Sequence, residues 1–118
     1  YELALMGKKP IIVEMQDDLV SQKGVCLANS SYLREWFDLY KTPVYLETKL
    51  KEVGDGYILV TRKDGNETKI LCDSVISSAG YVPAPIAAKG NVHLVGDCLK
   101  VGNLRSVIWR AFETAAKI

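Results

Sequence analysis

Two closely spaced turn signals near the middle of the chain constrain its fold more than any other feature. The segment KLKEVGDGYILVTRKDGNETKILCD, residues 49–73, contains Gly54-Asp55-Gly56 and Asp64-Gly65-Asn66. Runs rich in Tyr, Ile, Val and Thr lie beside these turns, and glycine-containing turns between such runs are typical of β-hairpins. The segment therefore predicts a three-stranded antiparallel meander, with strands near 48–53, 57–63 and 67–72.

Short apolar runs and helical patterns alternate on both sides of the meander. Continuous apolar runs of this length are typical of strands buried on both faces of a parallel sheet. The predicted strands are IIV (11–13), VYLET (44–48), SVISSAG (74–80) and NVHLVGD (91–97), and the predicted helices are NSSYLREWFDLYK (29–41) and NLRSVIWRAFETAAKI (103–118). The predicted fold class is α/β, with a mainly parallel sheet and the meander inserted in it.

The first residues look like the body of a helix already under way. Leu3 and Met6 recur at helical spacing in YELALMGKK, and Gly7 with two lysines suits a helix C-terminus. We expect the chain to be a piece of a longer protein that lacks the first strand of its fold.

Composition and charge narrow the class of protein. Hydrophobic residues make up 48% of the 118 residues and charged residues 25%, with a formal net charge of +1, so the sequence predicts neither a nucleic-acid-binding surface nor a membrane span. Cys26, Cys72 and Cys98 are widely spaced and form no CxxC pair. The sequence therefore predicts a cytoplasmic protein with reduced thiols and no metal site.

Glu14 follows the first predicted strand, at the edge where open α/β sheets bind ligands. In dinucleotide-binding units, an acidic residue at such a position accepts hydrogen bonds from the adenosine ribose and disfavours a 2′-phosphate. The alternative is a solvated glutamate at a strand end.

Two glycine-containing strand ends come later in the chain. Gly80 ends SVISSAG and precedes Pro83, whereas Gly96 ends NVHLVG and precedes Asp97. A glycine at a strand end allows the backbone to approach a ligand closely, and a carboxylate accepts hydrogen bonds from sugar hydroxyls. The alternatives are a tight turn at Gly80-Pro83 and a loop aspartate that hydrogen-bonds its own backbone.

These segments, in this order around a meander, resemble the two-dinucleotide-binding flavoprotein reductases. IIVEM, SVISSAGYVP, VHLVGDC and the closing arginine-bearing helix are most similar to the C-terminal FAD/NAD(P)-binding region of the NADH:flavin oxidoreductase group, which includes 2,4-dienoyl-CoA reductase and 2-enoate reductase. The resemblance implies a three-layer, Rossmann-like fold. Residues 1–90 would form part of an NAD(P)-binding domain, and residues 91–118 would return to the FAD-binding domain.

The same resemblance implies roles for individual residues. Glu14 would bind the adenosine ribose of the nicotinamide nucleotide, and Gly80 with Pro83 would line the passage between the two nucleotide domains. Gly96 and Asp97 would hold the ribityl chain of FAD, and the helix containing Arg105 would lie near the flavin. No residue of this chain is predicted to be catalytic.

The resemblance also implies parts that lie outside this sequence. Both glycine fingerprints, a barrel with FMN and the cysteines of an iron–sulfur cluster would belong to the remainder of the parent enzyme. Because a central strand would then be missing, we expect exposed sheet edges, pairing into a homodimer, and weak or no nucleotide binding by the isolated chain.

Three functions are compatible with these features. The leading one is a cytoplasmic flavoprotein that passes a hydride from NAD(P)H to FAD and on to the double bond of an enoate or enoyl-CoA. The others are a flavoprotein of the NADH oxidase or disulfide reductase type, and a non-catalytic nucleotide-binding or interaction module. His93 lies within a predicted strand without a sequence neighbour that would complete a triad or a metal site.

Overall fold

A computed structural model describes residues 1–21 and 24–118, which form two compact units, Tyr1–Ile76 and Ser77–Ile118. The predicted division into nucleotide-binding domains at residues 90 and 91 stays a prediction. In the described residues, no helix combines the length and the apolar character needed to cross a bilayer.

The first unit begins with a β–α–β segment. A short helix α1 (Glu2–Leu5) precedes strand β1 (Ile12–Val13), helix α2 (Leu27–Leu39) and strand β2 (Val44–Tyr45). Strands β1 and β2 pair in parallel, with Ile12 opposite Val44. Since a parallel pair requires a crossover, α2 supplies the connection that brings the two strands side by side.

The predicted meander is confirmed. Strands β3 (Lys49–Gly54), β4 (Tyr57–Thr61) and β5 (Glu67–Leu71) form a three-stranded antiparallel sheet in the order β3-β4-β5. Gly56 and Gly65 have φ angles of +73° and +81°, in the left-handed region that glycine enters without steric cost. The turn glycines therefore set the two reversals of the chain.

The core of the first unit lies between the meander and the parallel pair. Residues alternate between faces along β4, so Ile58 and Val60 are buried, and Ile70 of β5 joins them. Val13 of β1 and Tyr45 of β2 pack against this cluster from the other sheet. Burial of apolar surface between the two sheets holds the meander against the β–α–β segment.

The second unit contains less regular structure than the sequence predicts. It has a 3-10 turn at Gly96–Cys98 and a helix α3 (Leu104–Ala115). Asn103 caps α3, because its side-chain oxygen accepts a hydrogen bond of 3.0 Å from the Ser106 amide. Leu104, Ile108 and Phe112 recur at helical spacing along α3 and are exposed.

The prediction of strands at 74–80 and 91–97 is wrong, because neither segment belongs to a sheet in the described residues. A strand needs a neighbour to accept and donate its backbone hydrogen bonds, and the described chain places none beside these segments. The prediction of a mainly parallel sheet is corrected accordingly: the parallel part has two strands, and the larger sheet is antiparallel. The mixed α/β class is confirmed.

Candidate functional site

The first candidate site is the carboxyl edge of the parallel pair, defined here as Glu14, Gln16, Glu47 and Thr48. The pairing of the strands continues into this edge, where the Glu14 amide donates to the Tyr45 carbonyl oxygen at 2.9 Å. The amide of Thr48 then donates to the Glu14 carbonyl oxygen, and the Glu47 amide to that of Gln16, both at 2.9 Å. Backbone hydrogen bonds therefore fix the loop after β1 to the loop after β2.

The Glu14 carboxylate lies at the carboxyl end of β1, as the sequence predicts. It is half-buried, and its Oε1 accepts a hydrogen bond of 2.8 Å from the Gln16 amide. Among the described residues, no group donates a hydrogen bond to its Oε2. A held carboxylate with an open acceptor is suited to vicinal hydroxyl groups and unsuited to a phosphate.

Glu47 is a second acidic residue of this edge, two positions after the end of β2. Its φ angle is +48°, which is uncommon for a residue with a β-carbon. Its Oε1 accepts an ion-paired hydrogen bond of 2.5 Å from the ammonium of Lys63, in the loop between β4 and β5. This hydrogen bond and the charge of Glu47 raise the pKa of Lys63 above its ordinary value, and the charge of Asp17 acts in the same direction.

An open cleft of about 550 Å³ lies beside this edge. The Arg62 guanidinium is 5.1 Å from the centre of the Tyr45 ring, which links the β4–β5 loop to β2. The cleft is therefore bounded on one side by the end of β2 and on the other by the meander. Its lining residues are Val44, Tyr45, Leu46, Glu47, Thr48, Arg62, Lys63 and Asp64.

The second candidate site lies in the other unit, around Gly96 and Asp97. Gly96 is buried with a φ of +65°, and a β-carbon there would lie 3.2 Å from Cγ1 of Val107. Asp97 is exposed, and its Oδ1 accepts a hydrogen bond of 3.1 Å from the Gly102 amide. In this structure, Gly96 thus permits close packing of α3, and Asp97 hydrogen-bonds its own loop.

The hydrogen bond of Asp97 within its own loop matches the alternative given for that residue in the sequence, and no strand ends at Gly96. The Oδ2 atom of Asp97 has no hydrogen-bond donor within residues 1–21 and 24–118, so one oxygen stays available to a hydroxyl group. The predicted role of Gly96 and Asp97 at a flavin stays a prediction.

The other predicted site residues lie in exposed parts of the second unit. Gly80 has a φ of +85°, with open space where a β-carbon would stand, and Pro83 is exposed nearby in sequence. Arg105 is exposed in the first turn of α3. The structure brings Gly96 and Asp97 together with α3, and the roles of Gly80, Pro83 and Arg105 stay predictions.

The described residues contain no cluster of histidine, cysteine, aspartate or glutamate that could hold a metal ion. All three cysteines are free, and His93 is exposed.

Sequence reasoning missed Glu47 and Lys63. The position of Glu47 near the end of VYLET carries the same signal as that of Glu14 directly after IIV, since parallel strands end at one edge. For Lys63 the sequence has no such signal, because its place at the edge depends on how the meander packs against the parallel pair.

Comparison with known proteins adds two similarities. The chain is 32% identical over 124 residues to cinnamate reductase of Clostridium sporogenes, which covers 98% of this chain and 18% of that protein. Its structure resembles that of 2-naphthoyl-CoA reductase in complex with 2-naphthoyl-CoA, with a TM-score of 0.77 and 21% identity, over 98% of this chain and 18% of the other. No protein-family model matches.

The chain thus spans less than a fifth of the length of either protein. The solved structure, at 21% identity, shows a shared fold. The similarity to cinnamate reductase supports the relationship to a reductase family that the sequence motifs predict.

Proposed function

We propose that this chain is part of a flavin-dependent oxidoreductase that reduces the double bond of an enoate or an enoyl-CoA. The similarity to cinnamate reductase supports this proposal, because that protein is named for reduction of an α,β-unsaturated carboxylate. In the proposed enzyme, NAD(P)H, FAD, an iron–sulfur cluster and FMN supply the hydride and electron transfer. The residues of this chain bind and orient the nucleotides, and the parent protein is cytoplasmic.

The single observation that carries the proposal is the placement of Glu14. Its carboxylate is held at the carboxyl end of β1 by the Gln16 amide, and Oε2 is open to a donor in the described residues. That arrangement fits the two hydroxyl groups of an adenosine ribose, and its negative charge favours NADH over NADPH. Residues 1–90 would then be part of the NAD(P)-binding domain.

Asp97 and its surroundings support a site for the ribityl chain of FAD. Its carboxylate is exposed and retains one oxygen without a donor in the described part of the chain, which suits a ribityl hydroxyl. Gly96 and Arg105 lie at or near the beginning of α3, in the same unit. Residues 91–118 would be the return segment of the FAD-binding domain, with Gly80 and Pro83 along the passage between domains.

The test uses the intact parent protein, purified with its cofactors and supplied with NADH and an α,β-unsaturated carboxylate or its CoA thioester. We expect Glu14→Gln to raise the KM for NADH about tenfold with kcat changed less than about twofold, because the variant loses a charge-assisted hydrogen bond to the nucleotide. Glu35→Gln, on the exposed surface of α2, is the matched control. A parent without bound flavin, or an unchanged KM in Glu14→Gln, would contradict the proposal.

A further inference from the structure

The carboxyl edge contains an ion pair, between Lys63 and Glu47, that takes no part in the proposed role of Glu14. The Lys63 ammonium is bonded to Glu47 Oε1 at 2.5 Å, and Glu47 belongs to the same hydrogen-bonded edge as Glu14. We propose that Glu47 is a second selectivity residue for the nicotinamide nucleotide, which disfavours a 2′-phosphate by neutralising and holding the Lys63 ammonium. This inference rests on the proposed function.

The positions of Glu14 and Glu47 are coupled by the backbone. Thr48 donates its amide hydrogen to the Glu14 carbonyl oxygen, and the Glu47 amide donates to that of Gln16. Any ribose held by Glu14 therefore lies beside a loop that contains Glu47. A charge on Glu47 or on its partner then acts on a substituent of that ribose over a short distance.

Lys63 is a cation that would otherwise serve a phosphate at this edge. Its side chain is 74% exposed, and it extends from the β4–β5 loop on a flexible stem of four carbons. Lysine binds phosphate as a mobile point charge. The ammonium is paired with Glu47. The acidic residues of the edge and its cleft outnumber the basic ones, with Glu14, Asp17, Glu47 and Asp64 against Arg62 and Lys63.

The backbone of Glu47 is in an uncommon conformation. A φ of +48° is rare for glutamate, and Val20 and Lys41 of this chain have similar values. The pairing of Glu47 with Gln16 and Lys63 stabilises this conformation from both the backbone and the side chain.

The test measures the ratio of kcat/KM for NADPH to kcat/KM for NADH in the intact enzyme. We expect Glu47→Gln to raise this ratio about threefold to tenfold, the effect of removing one negative charge near a phosphate at the protein surface. Glu47→Asn removes the same charge with a residue that tolerates a positive φ, so it tests the inference even if glutamine disturbs the loop.

Lys63 provides the second arm of the experiment. If Glu47 acts through Lys63, then adding Lys63→Met to Glu47→Gln returns the ratio to within about twofold of that of the unaltered enzyme. An elevated ratio in the double variant, equal to that of Glu47→Gln, overturns the part of the inference that involves Lys63.

Asp38→Asn is the matched control. Asp38 forms an exposed ion pair of 3.1 Å with Lys41, before β2 and thus at the opposite end of that strand, and the substitution removes the same charge. We expect no change in the ratio. An equal rise in Asp38→Asn and Glu47→Gln would show a general effect of net charge and overturn the inference.

The failure of this inference differs from the failure of the proposed function. If Glu14→Gln raises the KM for NADH but Glu47→Gln and Glu47→Asn leave the ratio unchanged, the proposed function stands and the inference is wrong. If neither NADH nor NADPH reduces the enzyme, both are wrong.

Discussion

The amide of Thr48 donates a hydrogen bond of 2.9 Å to the carbonyl oxygen of Glu14, two positions in the loops that follow β2 and β1. Thr48 is only 2% exposed, and its hydroxyl donates to the Leu46 carbonyl oxygen at 2.7 Å. The place of the Glu14 carboxylate is thus set by the pairing of two strands and by a buried residue after the second. A nucleotide would meet an edge that is already organised.

The buried centre of the meander should dominate the stability of the first unit. Val60 is fully buried, so Val60→Ala should lower the free energy of unfolding by about 2 kcal/mol through lost burial and the cavity that remains. Val53 of β3 is 56% exposed, and Val53→Ala should cost less than about 0.5 kcal/mol. Urea titrations followed by circular dichroism measure both, and similar losses in the two variants would contradict this assignment of the core.

Alanine substitutions at two glycines of the second unit should distinguish the cost of a strained backbone from the cost of a packing clash. Gly96 and Gly90 both have positive φ angles, of +65° and +78°, but a β-carbon meets Val107 only at Gly96. Gly90→Ala should therefore lower the free energy of unfolding by about 1 kcal/mol, because of the backbone conformation alone. Gly96→Ala should lower it by about 2 kcal/mol, because the contact with Val107 adds to the same conformational cost. Thermal unfolding monitored by circular dichroism at the helical band compares them, and a smaller loss in Gly96→Ala would show that α3 is not packed on this turn.

The outer side of β1 is the expected surface for self-association. The amides of Ile12 and Glu14 donate hydrogen bonds to the carbonyl oxygens of Pro43 and Tyr45, on the side of β1 that faces β2. The amide of Val13 therefore points to the other side of β1. If the isolated chain pairs through this edge, Val13→Pro should abolish the dimer and leave the backbone hydrogen bonds from Ile12 and Glu14 to the β2 side intact. Sedimentation velocity reads the oligomeric state.

Val53→Pro on the outer strand β3 distinguishes the β1 edge from an edge of the meander, because β3 is one of the two edge strands of the other sheet. A dimer that survives Val13→Pro and dissociates in Val53→Pro would place the association on the meander instead. A monomer at all concentrations would rule out the homodimer for the isolated chain.

The carboxyl group of Asp64, in the turn between β4 and β5, should titrate at unusually low pH. The backbone amide of Asn66 donates to the Asp64 carboxylate at 2.9 Å and its side-chain amide at 2.8 Å, which lowers the pKa of Asp64 below its ordinary value. A lowered pKa stabilises the turn above the unfolded-state pKa of Asp64, and this contribution is lost as the pH falls through the folded value. NMR titration of the Asp64 carboxyl carbon measures this pKa.

Asn66→Ala keeps the backbone donor and removes the side-chain donor. The pKa of Asp64 should then rise only part of the way to its ordinary value, since the backbone hydrogen bond is the larger cause. A complete return in Asn66→Ala would show that the side-chain amide carries the whole effect.

The elements that the sequence predicts well are those decided by neighbouring residues. The meander follows from turn glycines and from alternation along β4, and α2 follows from apolar spacing around Phe37, which is buried. The predicted ends of these elements differ from the observed ones by a few residues, because capping and fraying depend on tertiary contacts.

The segments at 74–80 and 91–97 show where such prediction stops. Their apolar runs are typical of buried strands, yet a strand exists only beside a partner, and that partner is not a local property. The same holds for α3, which the sequence predicts as a helix, because the burial of its apolar residues Leu104, Ile108 and Phe112 depends on a partner surface and they lie exposed in this structure. Of the candidate site, Glu14 was found through its place after a strand, and Lys63 was missed because sheet packing brings it there.

The short parallel pair has a consequence for the order of folding. Ile12 and Val44 are more than thirty positions apart, so pairing them closes a long loop for few contacts, whereas each meander hairpin closes over a few residues. The meander should therefore form early and serve as the surface on which β1 and β2 later meet. Transient opening of the Glu14 edge would then require release of the β1–β2 contacts alone, so the amides of Glu14 and Thr48 should exchange with deuterium before that of Val60 does.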